Sequence, residues 1–175
     1  MIADMQFIPD VLLGLEEAAE AAGWDMPATL YSLHAEQLSG ECTAVGVAEF
    51  PGFNLAMHLT GHSFHAATAL RRSLKVAPPG VRPDLSGLFA VVLVDEAWAV
   101  KAKNGDPIPT GSFKDHPGRV EQRFAWLLAA DGSSRTLTRN RGDSAPKWVD
   151  EWGGGRLSDA VRNLLITAME GLTRP

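Results

Sequence analysis

The sequence predicts a single α+β domain over residues 1–175, in the order α-β-β-α-β-β-β-α, with a mostly antiparallel, four- to five-stranded sheet packed with helices. Three observations carry this. Consecutive β-rich runs are separated by hairpin-length turns, which joins them antiparallel. Leu88–Val100 (LFAVVLVDEAWAV) is a long run whose first half is apolar on both faces, as a central, doubly covered strand requires. Stretches of helical periodicity flank the strands at both ends of the chain.

The first helix opens at Pro9 and Asp10, where a fixed φ and a carboxylate both suit a helix start. Val11, Leu12, Leu15, Ala18, Ala19 and Ala22 recur at 3.6 spacing, and the reading puts Glu16, Glu17 and Glu20 on the other face. Gly23 caps it, and Pro27 stops any continuation. Thr29–Ala35 and Cys42–Phe50 then read as two strands joined through the Ser39-Gly40 turn signal. The stretch from Phe53 to Leu59 is ambiguous between strand and helix. A second helix is predicted over Ser63–Val76, ended by Pro78, Pro79 and Pro83. After the central strand comes a long loop to about Gly118. Arg119–Ala130 and Ser134–Arg141 read as two further strands around the Asp131-Gly132 hairpin signal. The last helix is expected over Ser158–Glu170, with Ser158 as its N-cap.

Composition narrows the function classes. Of 175 residues, 45% are hydrophobic and 21% charged. That is the balance of a globular chain large enough to bury a core. The net charge of −5 argues against a nucleic-acid partner. The single cysteine, Cys42, has no internal disulfide partner and points to a reducing compartment, so a cytoplasmic protein is expected. Its apolar strand context reads as a buried, inert thiol. The N-terminal MIADMQFIPD lacks a basic segment, so no signal peptide is read, and no apolar run is long enough to span a membrane.

Several constellations could carry chemistry. His58, His62 and His65 would share one face of a continuous helix, a Zn²⁺-capable set, although Gly61 interrupts it. Asp95 and Glu96 break an otherwise apolar strand, so their side chains point to opposite faces and at least one carboxylate needs a buried partner; Arg123 or His116 would supply it. Arg119, Glu121 and Arg123 alternate along one strand and share a face, as do Arg135, Arg139 and Arg141 on the next. The ligand-binding expectation is a face made by Glu96, Arg119, Glu121 and Arg123 with His116, Arg supplying forked donors to an anion. The plainer expectation is a solvated, salt-bridged sheet face. Lys114-Asp115-His116-Pro117 makes no triad, no serine sits in a nucleophile elbow, and no catalytic residue or cofactor is assigned. Trp98 and Trp126 are expected in the core. Trp148 and Trp152, four residues apart among Gly and Pro, are expected as exposed loop anchors for a protein partner.

Three stretches carry a resemblance: Ala22-Gly23-Trp24-Asp25 before a proline, Glu96-Ala97-Trp98, and His116-Pro117-x-Arg119-x-Glu121-x-Arg123. Together they resemble a group of small proteins from actinobacteria and their bacteriophages that has no established activity. The resemblance implies a bacterial or phage origin and carries over no catalytic residue. The resulting expectation is a non-enzymatic interaction protein, phage-encoded and binding a host protein. A small-ligand or hydrolytic domain on the Glu96/Glu121/Arg123 face and a histidine metal site are the alternatives, with homo-oligomerisation left open.

Overall fold

A computed structural model describes residues 7–37, 43–50, 53, 87–100, 113–149 and, near the C-terminus, 159, 162, 163, 166 and 167. Within these residues the fold is one helix and a six-stranded antiparallel sheet. The elements are α1 (Ile8–Ala22), β1 (Thr29–Gln37), β2 (Thr43–Glu49), β3 (Leu88–Val100), β4 (Arg119–Ala129), β5 (Ser134–Asn140) and β6 (Lys147–Val149). The spatial order is β2-β1-β3-β4-β5-β6. The α+β class stands, but the sheet has one strand more than the sequence suggested. The extra strand is β6, whose three residues after Pro146 are too short to show alternation. The helix predicted over 63–76 lies outside the described residues. Of the predicted C-terminal helix, the five described residues are helical, and Thr167 Oγ1 donates to the Asn163 carbonyl at 2.7 Å. No helix among the described residues is long and apolar enough to cross a membrane.

Helix α1 begins with Pro in its first turn and Asp10 beside it, and ends where the Gly23 N–H closes onto the carbonyls of Ala19 and Glu20. Gly23 has φ of 105°, a left-handed value that glycine adopts without Cβ strain. The buried stripe is Ile8, Leu12 and Glu16, spaced i, i+4, i+8, while Ala22 faces solvent and Ala18 is exposed as well. The apolar face read from the sequence is therefore corrected: Glu16 lies on the buried side, and Ala18 and Ala22 do not.

β3 and β4 form the centre, paired from Ala90↔Ala129 to Val100↔Arg119. Ala90, Val92 and Val94 with Ala125, Leu127 and Leu137 make the face under α1, and Ile8 and Leu12 close it. The opposite face is buried as well: Leu30, Val91, Leu93, Phe124 and Trp126 are all shut off from solvent. Burial on both faces explains why β3 lacks polar alternation before Asp95. Trp126 is core as expected, whereas Trp98 is half-buried.

Two turns make specific demands. Gly87 has φ of 70°, and a Cβ there would stand 2.6 Å from the Ala35 carbonyl oxygen. The Ala35 N–H in turn donates to the Gly87 carbonyl at 2.8 Å, beside the register shift at Leu33/His34. Gly87→Ala is expected to cost about 1–3 kcal/mol in urea unfolding; an unchanged midpoint would show that the β1–β3 junction relaxes freely. At the β4–β5 hairpin, Asp131 Oδ1 accepts from Ser133 Oγ at 2.7 Å and from the Ser133 N–H at 2.9 Å. These bonds, the hydroxyl first, hold the Asp131 carboxyl below its ordinary value of 3.8. A depressed pKa means the bonds stabilise the hairpin above the unfolded value and are lost as pH falls through the folded one. Ser133→Ala is expected to raise the Asp131 midpoint in an NMR titration of its carboxyl carbon.

Candidate functional site

The strands β3, β4 and β5 are neighbours, so the alternating charges of the sequence meet on one face, the face that α1 covers. Glu96 lies directly opposite Arg123, Trp98 opposite Glu121, and Val100 opposite Arg119. On the next strand Arg123 stands opposite Arg139. Two guanidiniums in direct cross-strand register repel. The repulsion is relieved from outside the sheet, by α1.

Glu16, fully buried, receives both Arg139 Nε and Nη2 at 2.7 Å. This is a forked, charge-assisted pair. Glu16 Oε1 also lies 3.7 Å from Arg123 Nη1. The Arg139 pKa is raised further, first by the bond to Glu16. Arg123 itself is 1% exposed and almost fully used. Nη1 donates to Glu20 Oε2 at 2.6 Å, Nε and Nη2 donate to Glu96 Oε1 at 3.1 and 2.8 Å, and Nη2 also donates to the Gly23 carbonyl. The last turn of α1 has no basic residue of its own. Arg123 thus supplies the cation that the negative end of the helix dipole favours.

The turn after α1 closes over this guanidinium. The Trp24 ring stacks on Arg123 at 4.3 Å and on Arg141 at 5.5 Å. Both distances are within cation–π range. Asp25 sits at φ of 68°, a left-handed conformation that aspartate tolerates better than most residues. It is held there by its N–H, which donates to Glu96 Oε2 at 2.7 Å. Arg141 completes the rim, donating to Glu121 at 2.6 Å and reaching Asp25 at 3.4 Å. Its pKa is raised, chiefly by the Glu121 bond. Among the described residues, the carboxylates of Glu16, Glu20, Asp25, Glu96 and Glu121 meet the guanidiniums of Arg123, Arg139 and Arg141.

The remaining residues singled out in the sequence are placed as follows. Arg119 stacks over Trp98 at 5.0 Å and bonds the Lys114 carbonyl, on the edge of the cluster. His116 shapes the loop before β4: its Nδ1 accepts from the Gly118 N–H at 3.0 Å, away from the Arg123 network. Asp95 points to the other face, buried, with Oδ1 accepting its neighbour's N–H at 2.8 Å. Oxygens of Asp25, Glu96 and Glu121 converge within 4.8 Å, but each of the three side chains already accepts from an arginine or a backbone N–H. Trp148 is on strand β6 rather than a loop, opposite Leu137, and is 47% exposed. Cys42, Trp152 and the histidines His58, His62 and His65 lie outside the described residues.

Sequence reasoning found Glu96, Arg119, Glu121 and Arg123 and their shared face. It missed the parts supplied by α1 and its cap: Glu16, Glu20, Trp24 and Asp25. The available signal was the i+4 step from Leu12 to Glu16, together with two arginine-bearing strands that needed a carboxylate from elsewhere. Comparison with protein-family models, with curated proteins and with solved structures gave no match.

The network predicts a sharp contrast between its two ends. Glu16→Ala leaves Arg139 buried without its forked partner and is expected to cost about 3–5 kcal/mol. Arg141→Ala removes a half-exposed pair and is expected to cost no more than about 1 kcal/mol. Equal losses in urea unfolding would contradict the assignment of Glu16 as the buried keystone.

Proposed function

We propose that the chain is a non-enzymatic interaction protein of the bacterial cytoplasm, phage-encoded, that binds a host protein with Trp148 as its anchor. The observation that supports this is the placement of Trp148. Its indole stands on β6, the last strand of the sheet among the described residues, opposite the buried Leu137 and with about half its surface open. An aromatic side chain held on a rigid strand loses little freedom on binding and offers a large contact area, the properties of interface hot spots. The Arg–Glu cluster supports the same reading, because the donors that a small anionic ligand would engage on Arg123 and Arg139 are directed to internal carboxylates. The three stretches behind the actinobacterial and phage resemblance contribute Trp24, Asp25, Glu96, Glu121 and Arg123 to that one cluster, which makes the shared residues those that lock the fold.

The test is affinity capture from an actinobacterial lysate with the wild-type protein and Trp148→Ala. A stoichiometric partner that the variant loses, with affinity falling by about 2 kcal/mol or more, is the expected result. A partner held equally by the variant, with circular dichroism unchanged, would remove Trp148 as the anchor.

A further inference from the structure

The charges on the α1 face are paired at one end of β5 and open at the other. Arg135, Leu137 and Arg139 alternate along β5 and share that face. Trp148 stands opposite Leu137, so both arginines are its diagonal neighbours, about 7–8 Å away. Arg139 is buried and taken by Glu16 through its forked bond. Arg135 is exposed, and among the described residues it has neither an ion pair nor a ring contact. Asp131 of the neighbouring hairpin is turned to Ser133. Lys147, beside Trp148 in sequence, lies opposite Thr138 on the other face and pairs with Asp143. Trp148 keeps 47% of its surface open.

We propose that Arg135 determines the specificity of the Trp148 surface, and that the surface takes an acidic segment of a protein partner, in which a carboxylate stands beside an apolar side chain. This rests on the reading of Trp148 as the anchor. An exposed indole and an open guanidinium at this spacing match such a segment: the ring packs on the apolar group, and the fork donates to the carboxylate. Covering the indole removes water from around the pair and strengthens it. Tryptophan and arginine are also the residue types that interface hot spots favour. Both stand on paired strands in fixed register, so their spacing is set before a partner arrives. The chain carries a net charge of −5, which repels an acidic partner at long range. A preference for one therefore originates in this patch and not in the overall charge.

A random peptide library displayed on yeast, with the full chain as bait, tests it. The wild-type protein is expected to enrich peptides with Asp or Glu next to an aromatic or aliphatic residue, and Trp148→Ala to enrich none. Arg135→Glu is expected to invert the charge preference to Lys or Arg. It is also expected to weaken a peptide selected on the wild type by about tenfold or more, with the largest loss at low salt. Because Arg135 is exposed and outside the ion-pair cluster, this variant is expected to keep the wild-type unfolding midpoint. An unchanged acidic preference in Arg135→Glu, with enrichment still lost in Trp148→Ala, would overturn the role of Arg135 and leave the anchor standing. Enrichment that survives Trp148→Ala would overturn the anchor and this inference with it. A wild-type protein that enriches no peptide, or that sediments with phosphatidylglycerol vesicles through Arg135, would overturn the acidic segment as occupant, the second result in favour of a lipid surface.

Discussion

Arg123 is the point at which helix, turn and sheet are tied together. Burying a guanidinium costs about several kcal/mol before any partner is found. Here the cost is offset by two glutamates, a helix-terminal carbonyl and the face of an indole, contributed by α1, the turn after it and β3. Because these partners come from separate elements, the charge acts as a positional constraint. Sliding α1 by one residue along the sheet would withdraw Glu16 from Arg139 and Glu20 from Arg123 together. Apolar contacts under Ile8 and Leu12 tolerate small shifts. The forked bonds between Glu16 and Arg139, both at 2.7 Å, do not, because such bonds weaken steeply with distance and angle.

How much of this was legible in the sequence follows from where the information sits. β3 was readable to the residue, because its first half is apolar without a break and Asp95 marks where that ends. The β4–β5 hairpin was readable because Asp131-Gly132 imposes local turn chemistry. β6 was unreadable, since three residues cannot display a period and its pairing with β5 is a tertiary event. Glu16 was misplaced for a different reason. Periodicity arguments sort residues by type, and a glutamate on an apolar stripe is sorted outward by default. Its true place depends on Arg139, distant in sequence by 123 positions. The like-charged Arg123–Arg139 register was visible once the strands were aligned, and it demanded a carboxylate from another element. Nothing local named α1 as the source.

The face under α1 is divided along its length. Toward the Ala90–Ala129 end it is an apolar core; toward Arg119 it becomes a layer of paired charges capped by Trp24 and Trp98. The change begins at Glu16, midway along the helix. Beyond Ala22 long arginines and glutamates extend over the sheet on their aliphatic stems. The Trp24 ring covers the buried guanidinium of Arg123, and exclusion of water there strengthens its pairs.

The sequence separation of these pairs has a consequence for how the chain is made. Synthesis runs from the N-terminus, so α1 leaves the ribosome long before β4 and β5 exist. Glu16 and Glu20 await arginines that follow by 123 and 103 residues. Through that interval the pairs of Glu16 and Glu20 cannot form. A helix as short as this one is marginal alone. Docking through these charges requires β4 and β5, so α1 cannot take its final place until both strands have emerged.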